Sequence, residues 1–224
     1  MFHVLVLAIP FLLTGCTLSL APAVGSPDPR LTAQAVQAVR NVRDIHLTAD
    51  VEVKHPFLDD KMVVEAWYVP NQDWLRLEIL ESAQPSFKGM IAASKGSEGW
   101  TYHPAEQRVD VGSISVVKPA IAYDVISSTL QVWFAGDMSQ AKVTSPDYVD
   151  HRWVFRLAVP QQSGTCSLWL EQGSLLPVKV QCENAQLGQY TATIRDVEYN
   201  LGLTEDLFNP NFLPSEKYNV RRIR

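Results

Sequence analysis

Along the first half of the chain, apolar and polar residues alternate with a period of two. Ile45, Leu47, Ala49, Val51 and Val53 alternate with His46, Thr48, Asp50, Glu52 and Lys54, which gives a strand one apolar and one wet face. Met62, Val64, Ala66 and Tyr68 repeat the pattern against Lys61, Val63, Glu65 and Trp67. After Pro70-Asn71-Gln72-Asp73, Leu75, Leu77 and Ile79 repeat it against Trp74, Arg76 and Glu78. Further strands are predicted over Lys88–Ser94, Trp100–His103, Arg108–Val111, Arg152–Val159, Thr165–Glu171, Pro177–Glu183 and Tyr190–Tyr199, separated by Gly, Pro, Asn and Ser. Two segments carry a helical period instead. In 29–43, Asp28 stands as N-cap, Pro29 as first helical residue, and Leu31, Ala35, Ala38, Val39 and Val42 recur at helical spacing. In 120–135, Ile121, Val125, Ile126, Leu130, Trp133 and Phe134 lack any strand period. The expected class is mainly β (α+β): a long antiparallel meander with two helices available to cover its apolar face.

The N-terminus reads differently. Val4 to Leu13 is apolar, uncharged and far shorter than the roughly 20 residues that span a bilayer, so it fits a signal-peptide core. Leu13-Thr14-Gly15-Cys16 closes it with small residues before a cysteine, the pattern that bacterial lipoprotein processing requires. The expected organisation is a signal peptide over 1–15, a lipid-anchored linker over 16–28 and one domain over 29–224, with Cys16 as the lipid attachment. The first residues depart from the usual signal in offering only His3 in place of Lys or Arg. Such a protein is extracytoplasmic and tethered to a bacterial membrane. With Lys+Arg 19 against Asp+Glu 24 and a net charge of -5, nucleic acid has no electrostatic reason to bind.

Cys166 and Cys182 are the remaining cysteines, an even pair in a chain read as exported. With a turn near Gln172 to Ser174, Leu170 faces Val178, Leu168 faces Val180 and Cys166 faces Cys182. Opposed residues of an antiparallel pair are close enough for a disulfide. The alternative is two buried thiols. The sequence has no H-E-x-x-H, no G-x-S-x-G, no Gly-rich phosphate loop and no clustered metal ligands, so no catalytic residue, metal or cofactor is expected and the chain reads as a non-enzyme.

The opening helix and the meander lead to Trp67-Tyr68-Val69-Pro70-Asn71-Gln72-Asp73-Trp74-Leu75-Arg76-Leu77. Then come Gly96-Ser97-Glu98-Gly99-Trp100-Thr101-Tyr102-His103-Pro104, Glu106-Gln107-Arg108-Val109, and the ending Leu207-Phe208-Asn209-Pro210 with Leu213-Pro214. Over about Arg30 to Pro214 this resembles the LolA/LolB family of bacterial lipoprotein carriers and localisation factors. RseB-type envelope-stress regulators and lipid-binding lipoproteins of mycobacteria share that architecture. The resemblance implies a curved, unclosed antiparallel half-barrel, with helices over a hydrophobic cavity that receives acyl chains, and neither cofactor nor catalytic residues. Two features depart from the soluble carriers: they lack an anchor such as Cys16, and they tend to place Arg where Val69 precedes Pro70.

A cavity of this kind would be lined by Leu47, Ala49 and Val51 of the first strand and Val64, Ala66 and Tyr68 of the second. Leu75, Leu77 and Ile79 of the third strand and Leu168, Leu170, Val178 and Val180 of the cysteine hairpin would complete it. The alternative is that these side chains fill the interior. In the loop His55-Pro56-Phe57-Leu58-Asp59-Asp60, Phe57 and Leu58 either touch a membrane or partner or fold back on the sheet edge. The expected partners are lipid or lipoprotein acyl chains, the membrane through Cys16, and other envelope lipoproteins. The expected role is carrier or acceptor in envelope trafficking, with a regulatory or scaffold module as the alternative and an unrecognised hydrolase behind both.

Overall fold

The Asp28 side chain accepts hydrogen bonds from the backbone N–H groups of Arg30 and Leu31 at 3.1 and 3.0 Å. This caps the first helix, α1 (Pro29–Arg40). The helix ends at Asn41 and not at 43, because the Arg43 N–H is taken by Asn200 Oδ1 at 2.7 Å. The buried Asp44 carboxylate accepts from the backbone N–H groups of Leu201 and Gly202 at 2.7 and 3.1 Å. These bonds to a distant segment turn the chain into the sheet. The computed structural model describes residues 28–55, 58–117, 120–134, 141–161, 164–184, 188–210 and 218–223.

Among the described residues, twelve strands form one open, curved sheet. They are β1 (Ile45–His55), β2 (Leu58–Val69), β3 (Trp74–Ser82), β4 (Ile91–Lys95), β5 (Glu98–His103) and β6 (Arg108–Ser113), then, after helices α2 (Ile114–Val117) and α3 (Ala120–Phe134), β7 (Lys142–Val149), β8 (Arg152–Gln161), β9 (Gly164–Glu171), β10 (Pro177–Asn184), β11 (Gly188–Tyr199) and β12 (Asn219–Arg222). Their order is β12-β6-β5-β4-β3-β2-β1-β11-β10-β9-β8-β7. Two meanders therefore meet where β1 pairs with β11.

Two strands correct the expected meander. β7 lies outside the predicted strands, because Pro146 and Asp147 interrupt its alternation. As the edge strand among the described residues it pairs with β8 alone, where a proline without an N–H is tolerated and the register shifts between Val143 and Pro146. At the other edge β12 runs parallel to β6, so the sheet is not wholly antiparallel.

That parallel strand is tied down by charge. The Asp110 carboxylate on β6 accepts two hydrogen bonds from Arg221 of β12, both at 2.7 Å, and two from Arg108 at 3.0 and 3.1 Å. His103 Nε2 lies 3.1 Å away. Burial pushes the Asp110 carboxyl up, but the hydrogen bonds from Arg221 and Arg108 outweigh it and hold it below the usual carboxylate range. Its stabilisation is complete above the unfolded value of about 3.9 and is lost as pH falls through the lower folded value. We expect Asp110→Asn to be less stable than wild type at pH 7 by about 1 to 3 kcal/mol. In urea unfolding that gap should close towards pH 2, and a gap of the same size at both pH values would refute the assignment.

Candidate ligand-binding interior

The inward side chains of β1, β2, β3, β8, β9, β10 and β11 form one apolar cluster, closed by Ala35 and Val39 of α1 and by Tyr123, Ile126, Leu130 and Trp133 of α3. Every residue expected to line a cavity except Val178 belongs to it, and each of these is only 0 to 7% exposed. In this conformation the concave face is therefore packed against its cover. An acyl chain taken up on this face would displace part of that packing.

Val178 is placed elsewhere. It packs with Val154 and Trp169 on the outer face. The pairing of Cys166 with Cys182 and of Leu168 with Val180 is as expected, and the two cysteines form a disulfide. Beyond them, an irregularity between Pro177 and Lys179 sets Pro177 opposite Leu170. That one-residue slip turns Val178 to the other side of the sheet. Cys16 and Phe57 lie outside the described residues. The backbone places Leu58 at the start of β2, paired with His55.

The cover has its own polar chemistry. Thr129 Oγ1 and Trp133 Nε1, one helical turn apart on α3, are buried with no hydrogen-bond partner among the described residues. Near the start of the helix, Tyr123 Oη and Ser94 Oγ share a hydrogen bond of 2.6 Å. Beside it a cleft of about 240 Å³ opens between α3 and the ends of β2, β3 and β4, lined by Tyr68, Asp73, Ser94, Tyr123, Asp124 and Gln131 among others. Burial, with Asp73 adding to it, pushes the Tyr68 phenol up to about 12. Burial likewise takes Tyr123 to about 12 against the opposing effect of the Ser94 hydrogen bond. Sequence reasoning found Tyr68 through its alternation but missed Asp73, Ser94, Tyr123 and Asp124, which come from three separated segments without a shared motif.

Within the G-x-x-G-W-T-Y-x-P stretch, Trp100 and Tyr102 join the cluster on the outer face, whereas Gly99 and Thr101, opposite Ser94 and Ala92, face α2 on the inner side. Gly96 turns at φ 61 between β4 and β5. At Gly99 a Cβ would come within 2.7 Å of both the Ala93 carbonyl and the Ile114 side chain, so only glycine lets α2 approach. Trp100 Nε1 donates to the Phe208 carbonyl at 2.8 Å, and Thr101 Oγ1 to the Val117 carbonyl at 2.5 Å. The buried Arg76 lies over the Trp67 ring at 5.4 Å and donates to the Leu207 carbonyl at 3.1 Å. These residues hold the C-terminal segment and α2 in place. Among the described residues, no group of three or more His, Cys, Asp or Glu is gathered to hold a metal ion, and no helix is long and apolar enough to cross a membrane.

No family model matches the chain. No curated protein matches it in sequence. Solved structures do match. An uncharacterised conserved protein from Thermus thermophilus superposes with a TM-score of 0.56 at 11% identity, covering 87% of this chain and 98% of that one. The Mycobacterium tuberculosis lipoprotein LppX superposes with a TM-score of 0.50 at 15% identity, covering 80% and 99%. The fold is LolA-like. A LolA superfamily protein from Nitrosomonas europaea is a more distant match, with a TM-score of 0.40 at 12% identity over 85% of this chain and 100% of its own. At these identities the matches with TM-scores of 0.56 and 0.50 show a shared fold alone.

Proposed function

We propose that this chain is an exported, lipid-anchored bacterial envelope protein whose LolA-like half-barrel takes up acyl chains of lipids or lipoproteins, as a carrier or acceptor, with no catalytic role. The observation that carries this reading is the continuous apolar concave face running from β3 across β1 to β8, covered by α1 and α3. Thr129 Oγ1 and Trp133 Nε1 on α3, buried without a hydrogen-bond partner among the described residues, each cost roughly 1 to 3 kcal/mol. Lifting that helix therefore costs less than its apolar contacts alone would demand. The disulfide suits an oxidising compartment, and LppX is itself named a lipoprotein.

The packed interior favours a second reading, an RseB-like regulatory or scaffold module that uses the same fold without transport. Native mass spectrometry for co-purified lipid, together with uptake of a fluorescent fatty acid, separates the two. A stably folded protein that takes up no lipid probe belongs to the second class. For the anchor, Cys16→Ser protein is expected to lose membrane partitioning after a high-salt wash and to incorporate no labelled acyl chain. Retention of both would overturn the assignment of Cys16.

A further inference from the structure

We propose that Thr129 and Trp133 of α3 form a docking point for the carbonyl oxygen of an ester-linked acyl chain. This rests on the acyl-chain reading above and names its ligand class. Thr129 is 4% exposed and Trp133 1%, and neither Thr129 Oγ1 nor Trp133 Nε1 has a hydrogen-bond partner among the described residues. Residues four apart on a helix share one face, with Cβ atoms about 5 to 6 Å apart, so one small group can meet both. Two other polar side chains of the same helix are paired: Tyr123 with Ser94 at 2.6 Å, and Ser128 with Tyr190. Folded proteins rarely leave a buried polar group without a partner, and two on one turn of a covering helix point to a partner that arrives with the ligand.

The pair selects the ligand atom. An indole N–H donates and cannot accept, and a hydroxyl can donate beside it, whereas an ester carbonyl oxygen has two lone pairs and no proton. It therefore takes both donors and brings no donor of its own. The surroundings select against charge. The cluster that holds Trp133 is made of apolar and aromatic residues and the cysteine pair, with no cation among the described residues. An ionised carboxylate would give up its hydration there without a counter-ion. Phe134, the next residue, is only partly buried against that cluster, and its ring centroid lies 5.0 Å from that of Trp133 and 5.5 Å from that of Tyr68. Trp133 thus sits beside the boundary of the packed interior. An acyl chain that displaces Phe134 would bring its carbonyl to the indole N–H while its tail continues among the inward residues of the sheet.

The test compares methyl dodecanoate, dodecanoate and tridecane, close in chain length, by displacement of a fluorescent alkyl probe from the purified protein at pH 7. The ester is expected to bind more tightly than dodecanoate. From wild type to Thr129→Val/Trp133→Phe, the ratio of ester to tridecane affinity should fall about fivefold or more, because the carbonyl then enters without a donor. Thr129→Val, which keeps the side-chain shape, supplies the same ratio if the double variant does not fold. In the wild-type protein the NMR resonance of the Trp133 indole N–H, identified by its loss in Trp133→Phe, should move downfield with the ester and not with tridecane. Dodecanoate bound as tightly as the ester, an unchanged ratio or an unmoved resonance overturns the docking point alone. Failure of the probe and all three ligands to bind wild type overturns the acyl-chain reading and the docking point with it. A diacylglycerol and an S-diacylglyceryl-cysteinyl peptide, both ester-linked, separate a lipid source from a lipoprotein source. The tighter of the two, with its affinity lowered in the double variant, is the natural one, and a loss of affinity for neither overturns the docking point.

Discussion

Trp133→Ala is expected to lower stability by about 3 to 5 kcal/mol, the range for deleting a large buried aromatic side chain. Trp133 is among the largest fully buried side chains, 1% exposed, and its ring stacks on Phe134 at 5.0 Å. It sits where α3 meets the inward residues of the sheet. For a chain of this size the loss corresponds to a fall in Tm of about 6 to 20 °C. Trp133→Phe should cost under about 2 kcal/mol. It retains an aromatic ring and removes an indole N–H that has no partner among the described residues. Urea unfolding of the two variants checks the pair. A Phe variant as unstable as the Ala variant would show that the indole nitrogen makes a bond that matters.

Removing the disulfide has the second largest expected effect. Cys166 and Cys182 are 16 residues apart in sequence, and closing a loop of that length stabilises by about 3 kcal/mol in the chain-entropy model. Cys166→Ala/Cys182→Ala should melt about 6 to 12 °C below wild type, and reduction of the wild-type protein should lower its melting temperature comparably. Both cysteines face the apolar cluster, so small replacements there leave little new polar burial to confuse the comparison. Thiol labelling of the denatured, unreduced protein should detect neither cysteine. Quantitative labelling of both would refute the bond.

Much of the sheet was legible because strand alternation and hairpin register are local. The faces of β1, β2 and β3 follow from side chains pointing to opposite sides at successive residues, and the structure places Leu47, Val64 and Leu77 on the inner face as expected. The cysteine pairing was equally local, with β9 and β10 joined by a short turn. Asp28 and Pro29 marked the start of α1 because a helix leaves its first N–H groups to be capped by a neighbouring side chain. The candidate site was less legible: Tyr68 and Leu75 lie in alternating runs, whereas Asp73, Ser94, Tyr123 and Asp124 become neighbours only after α3 docks across the strand ends.

By itself, then, the sequence determined ten of the twelve described strands, the apolar faces of β1 to β3, where the first helix begins and the register that sets Cys166 opposite Cys182. Each of these depends on residues close together along the chain. The tertiary structure decided the rest. The slip after Pro177 reversed Val178, the edge position admitted β7 despite Pro146, and the Asp110–Arg221 pair brought β12 parallel to β6. Whether the concave face stays open or closes depends on where α1 and α3 settle against strands far away in sequence. That choice is set by the packing of side chains that share no local pattern.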